Sequence, residues 1–361
     1  MTMSWNRCLI VWALAAATEV PAAVDPGQAV TPTQVADGIV AFIAPESNSM
    51  LVNGNSVAII GDDGVLVVDS GHFPSLTRRV IAEIRQRTEK PVRFVVNTHW
   101  HPDHVTGNAE YRRAFPGVTI VSTEYTRAQM AMRLAKYLGS KEEAEGYSTI
   151  YRGALRSGKN AAGQPLKPVE RHFMEQEVVN GEILARERLW ETPLTLPDAT
   201  FNSSVSVYLG KREVRILWLG RGNTGGDAII YVPDSRVVMT GDLVVSPTPY
   251  AYGSYLTEWR QTLHRLMDLD ATAIVPGHGP VQRDWAYIKR LDALLGAVLA
   301  QVAQGESQGR SLADIRKTLD VEEFRRQFCG DDQERSLAFK IGFVEPATER
   351  AYQESKLADE E

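Results

Sequence analysis

The stretch His99-Trp100-His101-Pro102-Asp103-His104 decides how this chain folds and what it binds. It contains three of the seven histidines of the chain within six positions, together with one aspartate. The preceding residues, 92–97, are mostly apolar and β-branched, a pattern that predicts a short buried strand. Open α/β sheets usually place their binding sites on loops at the carboxyl ends of strands. The cluster therefore predicts a metal site on such a loop.

The spacing of the four candidate ligands suggests two ions. Alternate residues point in the same direction, so His99 and His101 are expected to share one ion, while Asp103 and His104 turn toward a second. Imidazole and carboxylate ligands suit zinc, and iron or manganese are the alternatives. The other interpretation is a polar loop that contains histidines by chance, which the local density of histidines argues against.

The pattern His-x-His-x-Asp-His after a hydrophobic strand resembles the signature of the metallo-β-lactamase fold superfamily. Three further segments resemble family motifs in the family's order: a strand ending in Asp-x-Gly at Asp69, a Thr-Gly-Asp strand end at Asp242, and a Gly-His-Gly at His278. Thr-Gly-Asp resembles the strand end that carries the bridging aspartate of glyoxalase II-like members. The resemblance covers about residues 38–285. It implies a four-layer αβ/βα sandwich, whereas periodicity alone would give only an α/β protein.

The resemblance also implies a ligand set for two metals. The first metal would face His99, His101 and Asn223, the second would be held by Asp103, His104 and His278, and Asp242 would bridge them. Asp103 and Asp242 are accordingly the expected catalytic residues. Asp69 is expected to orient a ligating histidine, because such carboxylates fix the imidazole tautomer. For Asp242, the alternative is that it only caps a turn.

Asn223 departs from the family pattern, which has a histidine in a Gly-His-Thr context at this place. An amide oxygen is a much weaker zinc ligand than imidazole, so we expect one zinc to bind tightly and a second to bind weakly. Three arrangements stay open: only the second site fills, Asn223 ligates weakly and leaves a labile first metal, or His172 substitutes. The first two are preferred, and His172 is expected to be a surface histidine.

Such a centre predicts hydrolysis. Two metals about 3.5–4 Å apart can share a hydroxide and clamp a reacting acyl group. We therefore expect a zinc-dependent hydrolase that uses metal-bound hydroxide on an ester, thioester, lactone or amide in a small molecule. One alternative is a periplasmic metallo-β-lactamase proper, which would confer β-lactam resistance. The other alternative is a non-hydrolytic metal-binding or redox protein of the same fold.

Composition limits the partners of the protein. The chain has 361 residues, of which 43% are hydrophobic and 23% charged, as in an ordinary globular protein. The net charge of -6 and the lack of a basic patch argue against nucleic acid as a partner. The expected partner is a small-molecule substrate, and the oligomeric state is left open.

Residues 1–23 are predicted to be a secretory signal peptide. Arg7 precedes a short apolar run at residues 8–17, and small residues suited to cleavage follow. The run is too short to cross a membrane, so no stable membrane association is expected after its removal. A frayed or buried N-terminal helix is the alternative. Export predicts a periplasmic or secreted protein. After cleavage Cys329 would be the remaining cysteine, and we expect its thiol to be buried or incidental.

The rest of the chain divides into three predicted segments. Residues 24–37 form an N-terminal arm, residues 38–285 the metallo-hydrolase domain with an insertion at 140–190, and residues 286–361 a helical C-terminal extension. The insertion is expected to wall the active site, and the extension to serve as a packing appendix, a dimer surface or a substrate lid. Candidates for the pocket rim are Tyr250, Tyr252 and Tyr255, with His72 and His264 as weaker candidates.

Overall fold

The computed structural model describes residues 30–46, 52–160 and 163–358. The predicted signal peptide, residues 1–23, lies outside this part of the chain. No helix within the described ranges is long and apolar enough to span a membrane. The strands of this part are β1 (Thr31–Ala36), β2 (Ile39–Ile43), β3 (Ser56–Ile60), β4 (Val65–Val68), β5 (Val92–Val96), β6 (Thr119–Thr123), β7 (Ala199–Phe201), β8 (Ser204–Leu209), β9 (Arg212–Trp218), β10 (Ala228–Val232), β11 (Val237–Val245) and β12 (Ala273–His278).

The same part of the chain contains α-helices before, between and after these strands. They are α1 (Pro74–Arg87), α2 (Pro102–Val105), α3 (Asn108–Ala114), α4 (Glu124–Leu138), α5 (Lys141–Ser157), α6 (Pro168–Glu187), α7 (Leu256–Met267), α8 (Ala286–Ser307), α9 (Leu312–Thr318), α10 (Glu322–Cys329), α11 (Gln333–Phe339) and α12 (Glu345–Ala358). A π-helical turn, Lys340–Val344, joins the last two helices. The predicted insertion therefore consists largely of α5 and α6.

The strands form two mixed sheets. The first has seven strands in sequence order, β1 to β7, which run antiparallel as far as β4 and parallel from β4 to β7. The second has the order β12-β11-β10-β9-β8, and only its β11–β12 pair is parallel. Parallel neighbours bring the carboxyl ends of β4, β5 and β6 to one edge, and those of β11 and β12 to another.

Strand β4 shows why the sheets stack in layers. All of its residues are apolar and buried, as expected for a strand that is covered on both faces. Leu66 and Val68 pack between the sheets in a cluster with Ile230 of β10. Val67 points the other way and shares a cluster with Ile81 of α1. Successive strand residues point to opposite faces, so one apolar run serves two cores.

The C-terminal helices complete the fourth layer. One core cluster joins Ile274 of β12, Leu263 of α7 and Leu294 of α8 with Phe343 and Ala347 from the end of the chain. The helices after residue 285 thus cover the outer face of the second sheet. This arrangement is the four-layer αβ/βα sandwich that the resemblance implied, with a helical C-terminal region that belongs to its core.

Two boundaries differ from the sequence prediction. Strand β1 lies inside the predicted arm, residues 24–37, and pairs with β2, so the first sheet begins before residue 38. The segment 200–209 reads as a single strand in the sequence, but β7 and β8 belong to different sheets. The polar pair Asn202 and Ser203 marks the crossing between sheets, which a continuous strand pattern does not reveal.

Candidate metal centre

The candidate ligands come from strand ends that meet at one place between the sheets. His99 and His101 follow β5, and Asp103 and His104 lie in the single turn of α2. Asp242 lies within β11, and His278 is the last residue of the neighbouring strand β12. The structure brings these six predicted residues together in two groups that could each hold a metal ion.

The second predicted site is compact. The Nε2 atom of His104 lies 3.2 Å from Asp103 Oδ2, 3.2 Å from Asp242 Oδ1 and 3.2 Å from His278 Nε2. His278 Nε2 is 3.0 Å from Asp103 Oδ2 and 3.5 Å from Asp242 Oδ1. Ligands about 2.0–2.1 Å from a tetrahedral zinc lie roughly 3.3 Å from one another. The four donor atoms therefore have the spacing of a zinc site.

The first predicted site is more open. Asp242 Oδ2 lies 3.5 Å from His99 Nε2 and 3.8 Å from His101 Nδ1. His99 is fully buried, whereas the side chain of His101 is 13% exposed. One carboxylate oxygen of Asp242 faces each group, so this residue lies between the two candidate sites. That position agrees with the bridging role which the resemblance implied for it.

Asp69 fixes the orientation of the histidines. Its Oδ2 atom lies 2.8 Å from His104 Nδ1 and accepts the Thr98 hydroxyl at 2.8 Å. The Thr98 oxygen is in turn 2.9 Å from His99 Nδ1. Because these partners accept from the Nδ1–H groups, the Nε2 lone pairs of both imidazoles face the site. Asp69 thus orients a candidate ligand, as predicted, although Thr98 was not anticipated.

The buried polar atoms at the centre fit a divalent cation. His99 Nε2, Asp103 Oδ2 and Asp242 Oδ1 are buried and have no hydrogen-bond partner among the described residues. Buried acceptors are normally satisfied by a donor, a water or an ion. Imidazole nitrogens and carboxylate oxygens that converge in this way are the ligands expected for zinc, or for iron or manganese.

Electrostatics at the centre also favour a cation. Burial opposes charge on His278, but Asp242 and Asp103 outweigh it and raise its pKa to about 9. The same carboxylates, with Asp69, outweigh burial at His104 and hold its pKa well above the usual value. At His99, burial and the neighbouring His104 lower the pKa to about 4. In the metal-free protein, protons on imidazoles thus balance charge that a metal ion would balance when bound.

Asn223 is buried in the loop between β9 and β10. Its Nδ2 atom donates a 2.8 Å hydrogen bond to the main-chain oxygen of Tyr250. Its Oδ1 atom is buried and has no hydrogen-bond partner within the described part of the chain. A flipped amide would turn its oxygen toward the Tyr250 oxygen, so this hydrogen bond fixes which atom points away from it.

Other candidate residues lie away from the two groups. His172 on α6 is half-exposed and lies 3.3 Å from Glu334, as expected for a surface histidine. His264 pairs with Asp292 at 3.2 Å, and Cys329 is buried among apolar side chains. Tyr255 precedes α7 and lies beneath the guanidinium groups of two arginines rather than at the cavity.

The sequence Gly305-Glu306-Ser307-Gln308-Gly309 matches the Gly-x-Ser-x-Gly pattern of serine hydrolases. In those enzymes the serine sits on a sharp turn from a strand to a helix. Ser307 is instead the last residue of α8. Its location gives no support to a serine nucleophile.

A large cavity opens above the candidate metal centre. Its volume is about 1100 Å³, and His101, Asp103, Asp242 and His278 lie at its base. The other walls are mainly apolar and aromatic, and they come from α4, α5, α6, the loop after β11 and the π-helical turn. Among these lining residues are Trp100, Leu134, Leu138, Tyr147, Phe173, Leu184, Leu189, Tyr250, Tyr252, Ala338 and Ile341. The predicted insertion therefore walls the cavity.

Sequence reasoning missed part of the wall beside the centre. Asn53, His72 and Tyr137 all line the cavity, yet only His72 was a candidate, and a weak one. Tyr137 is 65 residues from its hydrogen-bond partner His72, so no local pattern could pair them. A conspicuous signal existed only at His72, which lies three residues after Asp69.

This chain is similar in sequence and in fold to known proteins. A family model described as the metallo-beta-lactamase superfamily matches residues 50–278. A linear primary-alkylsulfatase from Pseudomonas sp. (strain ATCC 19151) is 23% identical over 224 residues, which are 60% of this chain. The match spans only 40% of the length of that alkylsulfatase.

Two further comparisons concern metallo-beta-lactamases. The type 2 enzyme of Bacillus cereus is 21% identical over 249 residues, which cover 67% of this chain and 73% of that protein. The solved structure of a metallo-beta-lactamase from Pontibacter korlensis superposes with a TM-score of 0.53 at 18% identity. The superposition covers 74% of this chain and 99% of the Pontibacter korlensis chain, which shows that the two folds are similar.

Proposed function

This chain belongs to the metallo-beta-lactamase superfamily, and we propose that it is a metal-dependent hydrolase that cleaves an acyl bond in a small molecule. The bond is an ester, thioester, lactone or amide, and a β-lactam is a special case. The observation that carries this proposal is the position of Asp242, which lies between two His/Asp groups at the base of a large cavity.

Zinc is the proposed metal. Asp103, His104, Asp242 and His278 would hold one ion tightly, because their donor atoms already have tetrahedral spacing. His99, His101 and Asp242 would hold the other. A divalent metal, when bound, supplies Lewis acidity that polarises a carbonyl oxygen and lowers the pKa of water. Iron and manganese can bind the same donors and are the alternatives.

Asn223 is the proposed fourth group of the first site. Its buried, unpartnered Oδ1 atom is compatible with weak ligation, and its Nδ2 atom is engaged by Tyr250. An amide oxygen bonds zinc more weakly than imidazole, so this ion is expected to be labile. Half-exposed His172, with Glu334 beside it, is not a substitute.

Different residues of the chain would have different roles around the reacting group. Asp69 and Thr98 hold the imidazoles of His104 and His99 in one tautomer, so the Nε2 lone pairs stay directed at the centre. Asp103 and Asp242 contribute buried carboxylates whose charge balances the metals and which can hold a proton-bearing water in place. The apolar walls exclude bulk water, which strengthens these electrostatic interactions.

The cavity supports a substrate with an extended apolar part. Its volume, about 1100 Å³, lies just above the range of roughly 300–1,000 Å³ that is usual for small-molecule sites. Leu134, Leu138 and Phe173 face it from α4 and α6. We therefore expect acyl substrates with long alkyl chains to bind better than short ones.

Hydrolysis of p-nitrophenyl acetate, octanoate and dodecanoate by the zinc-loaded protein tests the proposal. We expect turnover that rises with chain length and disappears with a chelator. His278→Gln should abolish it, whereas His264→Gln, a matched change at an exposed helix position, should not. Chelator-resistant turnover, or none with any ester, thioester, lactone or β-lactam, would reject the proposal.

A sulfate ester is a second candidate substrate class. The chain resembles a linear primary-alkylsulfatase, and an alkyl chain would fit the apolar cavity. Dodecyl sulfate therefore belongs in the same assay. Release of sulfate without turnover of any acyl substrate would favour this candidate over the first.

A visible iron chromophore in the purified protein would instead favour the alternative of a redox protein of the same fold.

We also propose that the protein is exported and acts on a small molecule, with no nucleic acid as partner. The predicted signal peptide, residues 1–23, supports export to the periplasm or beyond, and it lies outside the described residues. Fractionation of cells that express the full chain, with N-terminal sequencing of the product, tests this. A product that starts at residue 1 in the cytoplasm would reject it.

A further inference from the structure

The cavity wall beside the metal centre contains a buried histidine with a fixed tautomer. His72 is 2% exposed and stacks on Phe73 with ring centroids 4.4 Å apart. Its Nδ1 atom lies 2.8 Å from the main-chain oxygen of Val52. A carbonyl oxygen can only accept, so Nδ1 carries the hydrogen. Burial lowers the pKa of His72, which favours the neutral ring and leaves Nε2 as an acceptor.

This tautomer fixes the direction of the next hydrogen bond. The hydroxyl of Tyr137 lies 2.9 Å from His72 Nε2 and must donate its only hydrogen to it. A tyrosine hydroxyl ordinarily has a pKa of about 10, so the Tyr137 hydroxyl keeps this hydrogen at neutral pH. The Tyr137 oxygen can then offer only lone pairs to anything else. Tyr137 and His72 both line the cavity whose base includes Asp103.

A second acceptor lies on the same wall. Asn53 follows Val52 directly, is 6% exposed and lines the cavity. Its Oδ1 atom is buried and has no hydrogen-bond partner in the described ranges. An unsatisfied buried acceptor has a considerable desolvation cost, which a donor on a ligand would remove. Two acceptors, each for an independent reason, thus lie on one wall beside the candidate metal centre.

We propose that Asn53, His72 and Tyr137 form a subsite that accepts hydrogen bonds from an N–H or O–H group of the substrate. Asn53 and Tyr137 would contact that group, and His72 would act as a positioning residue through Tyr137. This inference rests on the proposed function and narrows its substrate class. The substrate would carry an apolar chain and, next to the reacting acyl group, an amide N–H or a hydroxyl.

Two pairs of product-like ligands test the subsite by titration calorimetry on the zinc-loaded protein. N-dodecanoylglycine is compared with N-dodecanoyl-N-methylglycine, in which a methyl group replaces the amide hydrogen, and 3-hydroxydodecanoate is compared with dodecanoate, which lacks the hydroxyl. In at least one pair we expect the donor-bearing ligand to bind about five- to tenfold more tightly. Tyr137→Phe should reduce that preference to less than about twofold. Tyr252→Phe, which removes another hydroxyl at the cavity, should leave it intact.

The role of His72 needs a separate variant. His72→Leu removes the acceptor of the Tyr137 hydrogen, so that hydroxyl is free to donate to a ligand. The donor-bearing ligand of each pair should then bind more weakly than it does to the unmodified protein. The ligand without the donor should bind as before. A role in packing alone would weaken the binding of both ligands equally.

The outcomes separate this proposal from the proposed function. No preference in either pair, a preference that survives Tyr137→Phe, or no binding of any of the four ligands would overturn the subsite. Turnover of simple dodecanoyl esters would leave the hydrolase proposal standing in each case. A preference that Tyr137→Phe removes, in a protein that hydrolyses no acyl substrate, would instead support the subsite and reject the hydrolase.

Discussion

Asp69 lies at the start of the hydrogen bonds that orient the histidines of the centre. It contacts His104 directly and His99 through Thr98. Asp69 also has a φ of 56°, a conformation that non-glycine residues rarely adopt. Such strain is retained where surrounding contacts impose it, often at functional sites. One residue outside the set of candidate ligands therefore determines the direction of two imidazoles within it.

Asp69→Asn is expected to weaken zinc binding about 10- to 100-fold, because outer carboxylates orient ligating imidazoles and raise their basicity. The loss should fall mainly on the tight site, where His104 binds. Competition with a chromophoric chelator measures the affinity. Asp268→Asn, at an exposed position after α7, is the control. Equal affinities for the two variants would contradict this role of Asp69.

Asn223→His is expected to strengthen the weaker zinc site by at least about tenfold, since imidazole is a better zinc ligand than an amide oxygen. Calorimetric titration of the metal-free protein should then show two tight sites instead of one. The exposed Asn202→His variant controls for adventitious binding by an added histidine. An unchanged second affinity would mean that residue 223 does not face the metal.

Zinc binding is expected to release protons at neutral pH. Burial opposes charge on His278, but Asp242 and Asp103 raise its pKa to about 9 in the metal-free protein. A metal needs the neutral ring, so affinity should rise as pH increases and level off above about 9. Titrations in buffers of different ionisation enthalpy count the protons. No net release at pH about 7 would contradict this assignment.

At the scale of elements, the strand ends make the centre, and glycines let them approach. A Cβ atom on Gly277 would lie 2.0 Å from Asp242 Oδ1 and 2.7 Å from the Gly241 carbonyl carbon. Gly277, in the Gly-His-Gly segment, is therefore required by close packing against β11. The absence of a side chain at Gly277 allows β12 to lie beside β11 at the point where the carboxylate of Asp242, the candidate bridging residue, is buried.

Gly277→Ala is expected to destabilise the protein by about 1–3 kcal/mol through overpacking and to displace Asp242. Zinc affinity should fall along with the melting temperature. Gly117→Ala is a matched control, because a Cβ atom at Gly117 would meet nothing within 4 Å. If both variants bind zinc like the unmodified protein, close packing at Gly277 does not position the bridging aspartate.

Elements with strong local patterns were predictable. In the sequence, residues 74–87 show the apolar periodicity of a helix and residues 124–138 also indicate a helix, and the structure has helices with these bounds because such signals are local. The crossing between β7 and β8 and the pairing of β1 were not predictable, because sheet membership depends on partners far along the chain. The candidate ligands were predictable because four of them lie within six positions of the sequence, while Asp242 and His278 lie in strands, at Thr-Gly-Asp and Gly-His-Gly motifs.

At the scale of the whole molecule, two sheets bring together candidate ligands that are far apart in sequence. His104 and His278 are 174 residues apart, yet their Nε2 atoms lie 3.2 Å from each other. The cavity above them combines residues of α4, α5 and α6 with the C-terminal π-helical turn. Its size and apolar walls depend on packing between these distant segments, so the sequence predicted a wall from the insertion but not its chemistry.

Contacts at the cavity connect the C-terminal region to the rest of the protein. The guanidinium of Arg335 on α11 forms two hydrogen bonds with Glu46, at 2.6 and 2.9 Å. Ala251 donates to the main-chain oxygen of Gly342 at 2.9 Å, just beyond the tyrosine that binds Asn223. The C-terminal helices therefore contribute to the core, and the π-helical turn also forms part of the cavity wall.

In our proposal, a metal bound around Asp242 makes this protein a hydrolase. Hydrolysis of p-nitrophenyl dodecanoate and the zinc content of the same samples, measured together during stepwise removal of metal, test it most directly. We predict that the rate falls in step with protein-bound zinc and returns when zinc is restored. A rate independent of zinc content, or bound zinc with no hydrolysis of any acyl substrate, would contradict the claim.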